Sequence, residues 1–348
     1  MFLLSPAIKI KLKRFKEIKR GYLSFIIIMI ILILSMFAEI FVNSRALLVK
    51  YDGAIYFPVY SKMRPGTFFG LDYEYETNYR ELKNKFKTVN NGNFVILPPI
   101  PYNAYENSLI DGEYPPYKPS LNNRHFLGTD NTGRDVAARL IYGFRIAIFF
   151  SLALSFFNFF IGVIIGLFMG YYGGKFDLFF QRIIEIWSNM PFIYIVIIIS
   201  SLIIPNFISL LLIMIIFGWI SITWYIRTIT YREKERKYIM AAKALGASNK
   251  RIIFYYIFPN TISLVITFLP FSISSGITAL TSLDYLGFGL PAPTPSWGEL
   301  LRQGTDNISA YWLAGSVVLF MIIILVMITF VGEAIREAFD PKKYNYYR

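Results

Sequence analysis

Long apolar runs alternate along this chain with shorter stretches that are basic or rich in proline and glycine. Six runs are long enough to cross a bilayer: 22–42, 146–169, 183–204, 207–226, 261–280 and 312–331. At roughly 1.5 Å per residue, such runs match a hydrocarbon core of about 30 Å. They are expected to be helices, because lipid offers no partner for an unpaired backbone group. The first run is too long for a cleavable leader, and no small-x-small cleavage pattern follows it. Asn189-Met190-Pro191 interrupts the third run, and Pro270 is expected to break the fifth.

Polar positions divide the chain further. A basic segment (1–21) precedes the first helix (22–42), and its Leu12, Phe15 and Ile18, spaced by three, allow an amphipathic surface helix. A long segment (43–145) then carries PVYSKMRPG, LPPIPYNAY and GEYPPYKPS, which favour turns and extended pieces. Strands are expected near 54–59 and 94–97. Its size predicts a small folded cap, α/β or irregular, although a tolerated insertion reads the same way. Residues 146–335 hold the other five spans, and 336–348 form a tail.

Between the fourth and fifth spans lies YIMAAKALGASNKRIIFYYIFPN, basic and helical in character. Ile239, Ala242 and Leu245 recur every three residues, on one face of a short helix at 238–248. Gly246 suits its end, since glycine accepts the left-handed conformation. Ser248 or Asn249 can cap the next helix, and Pro259 kinks or restarts the chain. The small Ala241-Ala242 pair would let a partner's groove close around this peg. An ordinary basic loop has similar spacing.

Composition supports a membrane protein: 55% of residues are hydrophobic and the mean hydropathy is +0.48. The net charge of +13 does not point to nucleic acid, because the basic residues cluster beside the ends of apolar spans. Lys9, Lys11, Lys13, Arg14, Lys16, Lys19 and Arg20 precede the first span. Arg227, Arg232, Lys234, Arg236, Lys237, Lys243, Lys250 and Arg251 fill the loop around the peg, and Arg336, Lys342, Lys343 and Arg348 fill the tail. This pattern puts both termini and the peg in the cytoplasm. The loop after the fifth span, with Arg302 against Asp284, Glu299 and Asp306, suits the outside, and its Trp297 suits the interface. The absence of cysteine excludes disulfides and thiolate metal sites.

Candidate chemistry is sparse. His125, the only histidine, has no further ligands nearby and reads as a turn residue. Asp130 can cap a helix containing Val136, Leu140 and Ile141 at the outer interface. Within the spans, Asn158, Asn189, Thr223 and Ser272 are expensive in lipid and expected to face the bundle interior; with Pro191, three of them (Asn158, Asn189, Ser272) are candidates for lining a pathway. Glu185 is expected near a membrane edge, paired with Arg182. Gly174-Lys175-Phe176 lacks the hydroxyl residue and leading glycine of a phosphate-binding loop.

The peg stretch resembles the cytoplasmic coupling motif of permeases of bacterial ATP-binding cassette importers: Glu-Ala-Ala, three residues, Gly, nine residues, Ile-x-Leu-Pro. Met240, Ala241, Ala242, Gly246 and Pro259 keep its spacing, with Met240 in the glutamate's place, Tyr256 in the isoleucine's and Phe258 in the leucine's. The run HFLGTDNTGRDVAARLIYGFRIAI, the segment SLDYLGFGLPAPTPSWGELLRQG and the tail GEAIREAFDPKK resemble the oligopeptide and dipeptide branch. YDGAIYFPVY and GYYGGKFDL are most similar to the microcin C-type peptide importers. The resemblance implies an all-α integral membrane protein of six transmembrane helices with the type I importer permease fold and an extracytoplasmic cap. It implies no enzyme and no cofactor on this chain, in a bacterial inner membrane. ATP would be handled by two partner ATPases docked on Tyr238, Met240, Ala241, Ala242, Lys243, Leu245, Gly246, Ala247 and Pro259. A second permease subunit forming a heterodimer, a periplasmic solute-binding protein and a peptide-like substrate are also implied. Dipeptides, nickel or another small solute are the alternatives within the family. An ion-coupled transporter or intramembrane hydrolase would need carboxylates at mid-depth or a nucleophile with its base, and neither pattern occurs in the spans.

Overall fold

The computed structural model describes residues 6–89, 91–110 and 112–339. The tail expected from 336 is described only to Phe339; Lys342, Lys343 and Arg348 lie outside the described residues. Helix α1 (Pro6–Glu17) leads into α2 (Lys19–Met36) and a single turn, α3 (Ala38–Phe41). A cap follows, with β1 (Leu48–Tyr51), β2 (Ala54–Tyr56), α4 (Tyr79–Val89) and β3 (Phe94–Ile96). The rest is helical: α5 (Val136–Tyr172), α6 (Gly174–Ser188), α7 (Phe192–Leu202), α8 (Phe207–Gly218), α9 (Ile220–Lys234), α10 (Lys237–Ala244), α11 (Asn249–Arg251), α12 (Phe258–Leu286), α13 (Trp297–Asp306) and α14 (Tyr311–Phe339).

Among the described residues, five stretches are long and apolar enough to cross a membrane: Lys19–Met36, Val136–Tyr172, Phe207–Lys234, Asn249–Leu286 and Tyr311–Phe339. The pair α6 and α7, bent by 71°, qualifies as a sixth, broken span. The bend falls at Asn189-Met190-Pro191, where proline lacks the N–H a helix needs. Pro270, by contrast, does not break its span. It lies buried inside continuous α12, as membrane helices tolerate where neighbours hold them.

Helix α5 is the spine. It begins at Val136, so the helix expected beside Asp130 is the start of the second span itself. Its cap is Asp135, whose carboxylate accepts from the Ala138 N–H at 2.8 Å. Asp130 is instead turned toward Arg134 (2.7 Å). Lower down, Gly162, Gly166 and Gly170 meet α9 so closely that a Cβ on each would come within 2.7 Å of the carbonyls of Trp219, Thr223 and Arg227 respectively. Small residues every fourth position let two helix backbones touch, which drives association where lipid is as apolar as the side chains.

The cap is a three-stranded antiparallel sheet in the order β2-β1-β3, with Val49 opposite both Tyr56 and Val95. β2 and β3 lie where strands are expected; β1, the central strand, does not follow from the turn-rich composition. Asp52 and Gly53, at φ 46° and 79°, make the tight turn that suits a two-residue hairpin. Phe69, Leu82, Phe86 and Val95 fill the cap's own core. The cap joins the spans at a short bridge, where Asn43 donates to Ile100 O (3.2 Å) and Ile100 to Phe41 O (3.0 Å).

Beyond that bridge, residues 101–110 and 112–135 are tied down by a buried ionic knot. The Arg139 guanidinium, fully buried, donates to Ala104 O (3.1 Å) and Pro293 O (3.2 Å) and pairs with Glu299. Arg134 joins Glu299 (2.7 Å) to Asp130. His125 is no simple turn residue: it is buried, with Nδ1 2.7 Å from Asp135 Oδ2 and its ring stacked on Tyr102. Trp297 likewise lies in the core rather than at the interface, donating to Leu140 O at 3.0 Å.

Candidate functional site

Two features stand out: a small helix at one end of the bundle and a cavity midway along it. The small helix is α10. Ile239 is fully buried and packs with Leu167, Ile222, Ile226 and Ile253. Ala242 is buried too, so it faces its own protein and not outward. Leu245, expected on the same face, is 88% exposed, because the helix ends at Ala244 and the chain turns there. Tyr238, Met240, Ala241 and Lys243 lie on the exposed side.

The end of α10 is set by Gly246 at φ 81°. Its N–H donates to Lys243 O (2.9 Å), and the Ala247 N–H reaches Ala242 O (3.0 Å). These paired bonds define a Schellman closure, which needs a residue comfortable in the left-handed region. Ala247, half-buried, packs on the Ile239 cluster. The Ser248 hydroxyl then accepts from the Arg251 N–H at 3.4 Å, and Asn249 accepts from the Tyr171 hydroxyl at 2.7 Å. The Lys243 ammonium sits 5.3 Å from the Tyr171 ring.

Pro259 occupies the first turn of α12, after a widened π turn over Ile252–Ile257. The Phe258 N–H donates to Ile253 O, five residues back. A wider turn relieves the clash a proline ring makes with the carbonyl four residues before it. A last tie comes from Tyr238, whose hydroxyl donates to Glu233 (2.6 Å) and accepts from Asn260 Nδ2 (2.8 Å). Burial, then the Glu233 carboxylate, raises the Tyr238 pKa. Tyr171 and Asn260 escape sequence reasoning because their partners are far away in the chain. Asp177 does too: it takes two 2.6 Å bonds from Arg227.

The cavity, about 410 Å³, lies between α5, α8, α9 and α12. Asn158 and Ser272, distant in sequence, share its wall. Asn189 and Pro191 do not: both are exposed at the α6–α7 bend. Glu185 pairs with Arg182 at 2.5 Å. Ser272 Oγ lies 2.8 Å from Ser155 Oγ, whereas Asn158 Oδ1 is buried without a hydrogen-bond partner.

Residues 162–344 match the family described as "binding-protein-dependent transport system inner membrane component". The match covers α10 and the cavity walls from α8, α9 and α12. This chain belongs to that family. The permease family supplies the membrane component of its transporters, and ATP hydrolysis is carried by partner ATPases. Over 98% of both chains, the permease is 42% identical to the inner membrane ABC transporter permease protein YejE of Escherichia coli. It is 39% identical to the peptidoglycan transport system permease protein YejE of Agrobacterium fabrum, over 97% of this chain and 94% of that one. The oligopeptide transport system permease protein OppC of Lactococcus lactis is 37% identical over 65% of this chain and 79% of its own. The two full-length alignments take in the cap as well as the spans.

Proposed function

We propose that this permease is one half of the membrane pathway of an ATP-driven importer for peptides or peptide-like compounds, microcin C-type compounds among them. Its relatives are named for oligopeptides, dipeptides and peptidoglycan, and a peptide moiety is the chemistry these share. A second permease subunit completes the pathway as a heterodimer in the bacterial inner membrane. Two ATPase subunits bind ATP, this chain binding no cofactor of its own, and a periplasmic solute-binding protein delivers cargo to the cap side. Both termini and α10 face the cytoplasm, in keeping with the basic residues flanking the spans.

The observation that carries the reading is the posture of α10. Its inner face is packed, its end is closed by Gly246, and Tyr238, Met240 and Leu245 project from a rigid seat. A helix presented in this way suits a groove on a moving partner. Closure of the ATPases would push α10, and α5 and α12 would carry the push through Tyr171, Asn249 and Asn260.

Because the chain has no cysteine, Leu245→Cys supplies a single reporter. In membranes holding the whole transporter, a thiol crosslinker at this position should capture an ATPase subunit. Capture of none, or labelling of this cysteine from the periplasmic side of intact cells, would end the reading.

A further inference from the structure

We propose that this permease holds an acidic phospholipid beside α10, its phosphate on Lys250 and Arg251 and one acyl chain in the groove between α5 and α12. The proposal goes beyond the importer reading and does not depend on the cargo.

The site has two halves, and Phe254 lines both. The first is a pocket of about 530 Å³ formed by Ser248, Lys250, Arg251, Phe254 and Tyr255. All five side chains are exposed. Among the described residues, neither cation makes an ion pair. The Ser248 hydroxyl accepts from the Arg251 N–H at 3.4 Å, and its own O–H remains to donate. Lysine, arginine and this hydroxyl thus present donors, which a phosphate answers with acceptors alone. Tyr255 suits headgroup depth, where amphipathic rings gather at a membrane surface.

The second half is a groove of about 520 Å³ whose lining is wholly apolar. Phe258, Ile262, Val265 and Leu269 form its α12 wall, and Leu152, Phe156, Phe160 and Ile164 its α5 wall. Steps of three and four residues keep each set on one helix face. From Phe254 to Leu269 the chain rises roughly 22 Å, at about 1.5 Å per residue. One leaflet of the hydrocarbon core is about 15 Å deep, so an acyl chain fits the groove along its length. A basic pocket that runs into an apolar cleft at the end of a span matches an anionic headgroup followed by a hydrocarbon tail. A free anion would leave the groove uncovered, and a neutral lipid would leave the two cations unanswered.

The test uses the complete transporter, purified in detergent, and native mass spectrometry. The probes are phosphatidylglycerol and phosphatidylcholine of equal chain length. Wild type should retain phosphatidylglycerol and little phosphatidylcholine. Lys250→Gln combined with Arg251→Gln should lower retained phosphatidylglycerol about tenfold or more, since each cation near a membrane surface contributes about fivefold. Ile262→Trp, which fills the groove, should lower it with both cations in place. Phosphatidylglycerol with a photoreactive group at the end of one acyl chain should crosslink to α5 or α12 in wild type and not in Ile262→Trp. Equal retention of the two lipids, or retention unchanged in the double variant, overturns the headgroup site. A crosslink from Phe156→Cys to the second permease subunit makes the groove a subunit contact and overturns the acyl-chain site. Equal thermal stabilisation by inorganic phosphate and by phosphatidylglycerol marks a free-anion pocket and overturns the lipid assignment.

Discussion

Arg139 shows how one residue can hold distant parts of the chain together. Its guanidinium is fully buried, so its desolvation must be offset by partners. Those partners come from 104, from 293 and 294, and from Glu299 of α13. Arg139→Leu would leave Glu299 with Arg134 and Gln303 on its other oxygen and free three carbonyls. Breaking a buried pair of this kind costs about 3–5 kcal/mol. A clear drop in the melting temperature of the solubilised protein is expected. Arg182→Ala is the comparison: its pair with Glu185 is largely solvent-exposed, and such pairs contribute little. Equal melting of Arg139→Leu and wild type would show that the knot is not structural. No local signal marks Arg139, because an arginine in a helix start reads as surface until its long-range partners are known.

Among elements, α10 is the most legible, because its signals are local. A short helix, a glycine stop and a serine cap can all be read from neighbouring residues. What escapes is rotation. Ile239, Ala242 and Leu245 share a face on an ideal helix, yet the helix ends before Leu245, which projects outward while Ala242 faces in. Gly246→Ala tests the closure alone, since nothing lies within 4 Å of the position a Cβ would take. At φ 81° the strain is about 1–2 kcal/mol. Recovery of the ATPase with this chain should fall by up to about tenfold, with membrane insertion intact. Gly315→Ala, in open space within α14, should leave recovery unchanged. If both variants behave alike, the shape of the α10 terminus does not matter for docking.

At the scale of the whole molecule, the cap meets the rest through few ties: the bridge at Ile100 and Arg80, which pairs with Glu106 and lies over Tyr102. The cap has its own core, and its entry and exit strands meet where Asn43 and Ile100 bond. Residues 44–99 could therefore be replaced by a short Gly/Ser linker without stretching the chain. The spans, the ionic knot and α10 should fold as before, with an unchanged melting temperature for the bundle. Uptake from the binding protein should fall while basal ATPase activity stays. Normal uptake would make the cap an ornament of the fold. The bundle itself turns on Gly162, Gly166 and Gly170, which meet α9 at its backbone; nothing local in the chain says which helix they meet.

The amino-acid sequence alone placed the apolar runs, the β2 and β3 strands and the α10 stop, and offered two breaks, of which Pro191 bends the chain and Pro270 does not. Each depends on residues close together in the chain, through hydropathy, backbone conformation or a missing N–H. Tertiary structure decided that α5 and α9 touch at three glycines and that Ala242 looks inward. It also buried His125, Arg139 and Trp297, and left Asn158 and Ser272 on one wall while Asn189 stands apart. Those outcomes depend on which surfaces meet, and contact between residues a hundred positions apart leaves no periodic trace in either segment.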